Sequence, residues 1–252
     1  MRKKIRAAIL SGVFMGMAGA AIACGDGEWG YSGAKGPDRW GYLKPEWAMC
    51  RDGKNQTPID IVPNYQVRFM SALVTNYRVP GNLVTNKGTT IQVDFPEGNY
   101  MRVGQKKFYL RQVHFHSPSE NHLNGKSFPL EAHFVHSDVD GNLAVLGVFY
   151  EEGAANPGLE TIWRAMPRKR GESRALPRGG FAPNSIVPAS RQYIYFNGSL
   201  TTPPCTEGVG FHILTETQTI SAAQTRAFFD LMGGPTNRPL QPVNARRIIS
   251  SK

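Results

Sequence analysis

Acidic side chains are scarce in this chain. Its 252 residues carry 19 Asp and Glu against 29 Lys and Arg, a formal charge of +10. Histidine and cysteine are scarcer, at six and three. After the N-terminal stretch no apolar run is long enough for a membrane span. No internal repeat or low-complexity tract occurs, which argues against solenoids, propellers and disordered arrays. The absence of a His-Glu-x-x-His helix motif removes the usual mark of a zinc protease. What remains is enough sequence for one large domain, with 18 prolines and 27 glycines that favour many turns over long helices.

The basic excess divides in two. Arg2, Lys3, Lys4 and Arg6 form a charged start, followed by a mostly apolar stretch from Ala7 to Ile22 and an A-x-A site at Ala21-Ile22-Ala23. That pattern predicts a signal peptide over residues 1–23 and a mature domain over 24–252, exported to the periplasm or secreted. Removing it leaves the mature chain near +6. The second concentration is Arg168, Lys169, Arg170, Arg174 and Arg178. It lies among Gly, Pro and Ser without interleaved aromatics, so it reads as a solvated loop attracted to anionic surfaces, and no nucleic-acid partner is expected.

Export makes a disulfide reasonable. Cys50 and Cys205 lie inside the fold while Cys24 stands at the cleavage point, so Cys50 is expected to pair with Cys205. Cys24 is left as a lipid-anchor site or as a free or intermolecular thiol.

Strand signals dominate: Thr90–Phe95, Lys107–Phe115, Leu130–His136, Leu143–Tyr150, Gln192–Phe196 and Val209–Leu214. Two helices are expected, one opening at Asn156-Pro157 and running to about Met166, the other Ser221–Met232, capped by Ser221 and stopped by Gly233-Gly234-Pro235. Histidines concentrate on two of the strands. His114 and His116 share one face of theirs, with Val113 and Phe115 on the other. His133 shares a face with Glu131 and Val135. If the strands pair, three imidazoles converge, and three neutral nitrogens with an open fourth position suit a catalytic zinc. Gln112 and Glu131 each precede a histidine by two residues, placing an amide and a carboxylate where a ligand's second nitrogen needs a partner.

The motifs go further. Gly36-Pro37-Asp38-Arg39-Trp40, Lys54-Asn55-Gln56-Thr57-Pro58-Ile59, Val113-His114-Phe115-His116-Ser117-Pro118-Ser119-Glu120-Asn121-His122, Glu131-Ala132-His133-Phe134-Val135-His136 and Ser199-Leu200-Thr201-Thr202-Pro203-Pro204-Cys205 stand in one order along the chain. In these segments it resembles the α-class carbonic anhydrases, in their bacterial secreted form. The resemblance implies an α+β, mainly β fold: a single domain with a large central, mostly antiparallel twisted sheet of about ten strands, flanked by short helices and loops. It implies zinc held by His114, His116 and His133, and reversible hydration of CO2 to bicarbonate by zinc-hydroxide attack. Thr201, backed by Glu120, would orient the hydroxide. Val135, Val145, Leu200, Thr202 and Phe211 would line the substrate pocket, and Tyr31 would order water in the cavity. Sulfonamides and anions are the inhibitors it implies, and its bacterial members allow a homodimer. A zinc protein with esterase activity, or a non-catalytic binding protein of the same build, are the alternatives.

One departure matters most. Fast members of this family carry a proton-shuttling histidine where this chain has Thr89. Threonine does not titrate near neutral pH, and none of the other histidines, His122, His136 and His212, is an evident substitute. Phe211 stands where tryptophan is usual and Phe196 where tyrosine is usual.

Overall fold

The computed structural model describes residues 28–251. The expected signal peptide, its cleavage site and Cys24 lie outside the described residues. Among those described, no helix is long and apolar enough to cross a membrane.

A 13-stranded sheet runs through the molecule. Its central strands are, in spatial order, Ile91–Asp94, Lys106–His116, Leu130–Ser137, Leu143–Glu152, Glu207–Leu214 and Tyr193–Ser199. All six overlap the strands expected from alternation. Most neighbouring strands pair antiparallel, as expected, but the sheet has thirteen strands rather than about ten, and it is mixed. Leu143–Glu152 runs parallel to Glu207–Leu214 and to Gln218–Ile220, and Ile249–Ser251 runs parallel to Tyr65–Val67. Parallel neighbours need a long crossover. Here the chain leaves Glu152, passes through the helix Pro157–Trp163, and returns by way of Tyr193–Ser199 before Glu207–Leu214 is laid down. Local alternation carries no trace of that path.

Each face of the sheet buries its own apolar cluster. On one side Val113, Phe115, Ala132, Phe134, Leu146 and Val148 pack with Trp163 and Phe228 of the two longer helices. On the other, Val135, Val145, Phe149, Phe196, Phe211 and Ile213 pack together. The helix Ala222–Met232 begins with a capping box in which Ser221 accepts from the Gln224 backbone and Gln224 reaches back to Ser221. Gln224 also exchanges two hydrogen bonds with the Asn156 backbone, fastening the N-termini of the two helices together.

A bulge sets the orientation of the histidine strand. Leu110 faces His136 and Gln112 faces Val135, so Arg111 is the extra residue. Before it, Phe108 and Leu110 point into the cluster beneath the sheet. After it, residues of the same parity, Gln112, His114 and His116, share the opposite face with Val135, His133 and Glu131. The chain announces this in its pattern: buried apolar residues fall at 108 and 110, then at 113 and 115. A three-residue step from 110 to 113 is a break in a two-residue period.

His136 and His212 are buried away from this site. Burial holds their pKa values at about 3 and about 4, against 6.5 for an exposed imidazole. The folded state therefore refuses protons that the unfolded chain accepts, so their contribution is complete above pH 6.5 and declines as pH falls toward the folded values. In metal-free protein, urea unfolding should show stability falling about 1.4 kcal/mol per pH unit more steeply for the native chain than for His212→Gln between pH 6.5 and about 4. Parallel curves would remove His212 as a source of acid lability.

Candidate metal centre

The register of the two histidine strands builds the site. His114 lies directly across from His133, and His116 across from Glu131. One nitrogen from each of His114, His116 and His133 falls within 4.8 Å of the others, close enough for one ion to meet all three.

Their hydrogen bonds decide which nitrogens those are. His114 Nδ1 lies 2.8 Å from Gln112 Oε1, His116 Nδ1 lies 2.7 Å from the Thr236 carbonyl, and His133 Nε2 lies 2.8 Å from Glu131 Oε1. All three partners are oxygens that accept, so each of these nitrogens must carry the proton. The lone pairs then sit on His114 Nε2, His116 Nε2 and His133 Nδ1. His116 Nε2 has no hydrogen-bond partner although it is buried. Orphaned buried polar atoms of this kind are rare and call for an explanation. An ion bound by the three lone pairs supplies one, and three neutral imidazoles suit zinc.

The electrostatics agree. Burial, with His133 nearby, holds His114 and His116 well below the usual imidazole range, in the neutral form a metal ligand requires. Burial alone would also lower His133. The Glu131 carboxylate, by charge and hydrogen bond, and Glu120 outweigh it and raise the value.

Glu131 is fully buried and fully engaged. It accepts from His133, from the Asn121 backbone N–H at 2.9 Å and from the Asn121 side-chain amide at 2.9 Å. Asn121 in turn accepts from the Ile59 backbone at 3.0 Å. Across the ladder, Gly147 stands opposite His133. A Cβ at Gly147 would come within 2.4 Å of Ile213 Cδ1, so a side chain there would force Ile213 to shift, while meeting Glu131 Oε1 at an ordinary contact distance of 3.5 Å.

Glu120 is a second buried carboxylate. Its Oε1 accepts from the Arg238 backbone N–H at 3.1 Å, and its Oε2 lies 3.3 Å from His116 Nε2 and 3.9 Å from His133 Nδ1. Burial pushes its pKa up to about 7, against the lowering effects of His133, of the Thr201 hydroxyl as a donor, and of Arg238 N–H. Glu120 Oε2 itself has no hydrogen-bond partner although it is buried. A cation among the histidines would drive this group toward the carboxylate form.

Thr201 and Thr202 sit on a loop that is tied down at several points. Leu200 N donates to Thr206 O and Cys205 N to Thr202 O, both at 2.9 Å. Cys205 is bonded to Cys50, 155 residues back, as expected from the cysteine count. Gln56 donates to the Cys205 carbonyl at 3.0 Å. Arg238, only 2% exposed, donates to Gln56 Oε1, Thr57 O and Cys50 O at 2.8–2.9 Å, and lies over the Trp40 ring.

Val135, Val145 and Phe211 form one row across three strands, next to the row that carries His133. Phe211 meets the His133 ring edge-on, with centroids 6.0 Å apart, and stacks on Phe196. Leu200 packs against the same cluster. Thr89 is buried in the turn leading into Ile91–Asp94, three residues before Gln92, which pairs with His114. Tyr31 packs edge-on against Trp29 and Trp40, in an aromatic cluster that includes the disulfide.

Three residues that support the site were not singled out from sequence. Asn121 lay inside a motif with no period-two relation to a histidine. Thr236 and Arg238 are more than a hundred residues from their partners, and only the fold brings them there.

A large mixed sheet carries three imidazoles on one face, each aligned by its own acceptor, an arrangement that could hold a single metal ion. Residues 35–252 match the family model described as eukaryotic-type carbonic anhydrase. The carbonic anhydrase of Neisseria gonorrhoeae is 42% identical over 223 residues, covering 88% of this chain and 87% of that one. That of Pectobacterium atrosepticum is 40% identical over 230 residues, covering 91% and 93%. Among solved structures, the α-carbonic anhydrase of Thermovibrio ammonificans, in complex with the inhibitor sulfanilamide, has a TM-score of 0.84 and 46% identity, covering 88% of this chain and 98% of that one. The chain belongs to the eukaryotic-type, or α, carbonic anhydrase family.

Removing the carboxylate behind His133 tests the alignment. Glu131→Gln should weaken zinc binding about 10–100-fold in competition with a chelator of known affinity. Native affinity in that variant would show that the His133–Glu131 bond does not tune the ligand.

Proposed function

We propose that this chain is a zinc carbonic anhydrase that hydrates CO2 to bicarbonate and a proton. The observation that carries the reading is the hydrogen-bond partnering that turns three imidazole lone pairs toward one point. Zinc held by His114, His116 and His133 would lower the pKa of a water to about 7, an effect for which carbonic anhydrase is itself the standard case.

The chain's own residues do the rest. A carboxylate can only accept, so the Thr201 hydroxyl spends its proton on Glu120 and keeps its lone pairs for the attacking oxygen. The Arg238 N–H holds the other Glu120 oxygen, which fixes the direction of that request. CO2 offers little to hydrogen-bond, and Val135, Val145, Leu200 and Phe211 form an apolar wall beside His133, with Thr202 on the adjoining loop. Phe211 in place of tryptophan leaves that wall apolar and smaller. The aromatic cluster that includes Tyr31 lies under the same loop, and Tyr31 orders water toward the cavity. At Thr89 no side chain can relay the proton, so its exit to solvent limits turnover near neutral pH.

The N-terminal pattern supports export, with residues 1–23 removed and 24–252 acting in the periplasm or outside the cell. The oxidised Cys50–Cys205 pair suits that compartment. The sulfanilamide complex of the Thermovibrio ammonificans relative supports inhibition by aromatic sulfonamides here too, and anions that can bind a zinc ion should also inhibit.

Stopped-flow CO2 hydration with zinc quantified tests the whole reading. Thr201→Ala should lower kcat/KM about a hundredfold with zinc retained. Turnover of the native chain should rise with added imidazole, and Thr89→His should raise it about tenfold in weak buffer. A native rate already high and flat in imidazole would overturn the limited-exit element alone. No hydration by zinc-loaded protein would overturn the function.

An aromatic sulfonamide should abolish activity with one molecule bound per zinc. Tight binding by metal-stripped protein would contradict that stoichiometry.

A further inference from the structure

The basic loop remains unused by the reaction described so far, and the fold fastens it beside Thr89. Asn86 N donates to Glu172 O at 3.0 Å, Gly171 N donates to Asn86 O at 2.7 Å, and the Asn86 side chain donates to Pro167 O at 2.9 Å. The strand Ser173–Ala175 then pairs with Leu83–Asn86. Gly88, adjacent to Thr89, has a positive φ and lies under the Arg170 side chain; a Cβ there would meet Arg170 Cγ and Cδ at 2.8 Å.

The charge at this place is one-sided. Segments 81–90 and 167–174 hold five cations, Lys87, Arg168, Lys169, Arg170 and Arg174, and one acid, Glu172. Glu172 is occupied, since Arg174 pairs with it at 3.0 Å and the Lys169 N–H donates to it at 3.2 Å. Lys87 is half-buried and the other four cations are exposed. The loop's backbone is hydrogen-bonded to the turn, so this field is fixed in place rather than carried on a wandering segment. Fixed charge of one sign raises the local concentration of counter-ions and speeds their arrival.

We propose that this loop is a docking surface for small anionic bases of the phosphate class, which collect the proton that Thr89 cannot relay. The inference rests on the reading of Thr89 as the point of limited proton exit. Hydration of CO2 by water gives bicarbonate and one proton. Hydrogen phosphate, HPO4 with two negative charges, accepts that proton and departs as H2PO4 with one. The product is held less strongly than the reactant by the same cations, which favours its release. A neutral base of similar strength draws no benefit from the loop.

The test compares hydrogen phosphate with 1,2-dimethylimidazole as proton acceptors for the zinc-loaded protein at low ionic strength. The native chain is set against Arg168→Gln/Lys169→Gln/Arg170→Gln. In the triple variant the half-saturating phosphate concentration should rise about three- to tenfold. The dimethylimidazole curve and the maximal rate should stay where they are. Added salt should move the native phosphate curve the same way, because exposed charges are screened.

A binding readout separates docking from rate. Phosphate should shift the backbone amide resonances of residues 87–90 and 168–171 in the native protein, and not in the triple variant. Phosphate curves that coincide in the two proteins, or amides that do not move, would overturn the proposal. Dimethylimidazole would still accelerate the enzyme in that case, so the reading of Thr89 would stand. If neither base accelerates it, that reading falls as well. Phosphatidylglycerol vesicles that shift these amides where free phosphate does not would make the loop a membrane-facing surface, and would also overturn the proposal.

Discussion

One extra residue in one strand governs the site. The sheet would pair Lys106–His116 with Leu130–Ser137 under either phase of side-chain alternation. Only the bulge at Arg111 lets Phe108 and Leu110 enter one cluster while Gln112, His114 and His116 enter the space on the other face. A slip of one residue inverts every side chain that follows. Without the bulge, the same even-numbered histidines would be driven into the mainly apolar cluster beneath the sheet, where an unpaired imidazole costs on the order of several kcal/mol. Ladder, core and metal site are thus one constraint seen three ways.

Around that register the protein buries two carboxylates and treats them differently. Glu131 has every lone-pair direction that matters filled by His133 and Asn121, and Asn121 is anchored to Ile59. Glu120 keeps one oxygen held by Arg238 N–H and leaves the other facing the histidines. A saturated carboxylate is a strut, fit to hold a ring at one angle. A half-saturated one retains appetite for a donor, which is what a hydroxyl such as that of Thr201 can satisfy. Buried carboxylates are costly unless paired, so the second arrangement is tolerable only beside a compensating positive charge.

Much of this is legible in the amino-acid sequence. Alternation located all six central strands, because each has one face in an apolar cluster and the period survives burial. Ser221 and Gly233 marked the helix ends correctly, since caps are local chemistry. The three histidines, Gln112 and Glu131 could be placed on one face for the same reason. The parallel pairings were out of reach, because they depend on a crossover through distant segments. So were Thr236 and Arg238, which meet His116 and Glu120 only after the sheet has closed. The bulge lay between these cases: its phase step was in the sequence at residues 110–113, yet a shift of one residue is easily read as noise in a strand this long.

The Cys50–Cys205 bridge closes a covalent ring in which His114, His116, Glu120, Glu131, His133 and Thr201 all lie. Any single backbone cut between the two cysteines therefore leaves two pieces still joined. Exposed turns such as that around Val139 are where a protease would bite first. A nick there would open the ring into a branched molecule without releasing a ligand-bearing fragment. The bridge is thus a form of damage tolerance: the molecule can be cut once between the cysteines and still own all its parts.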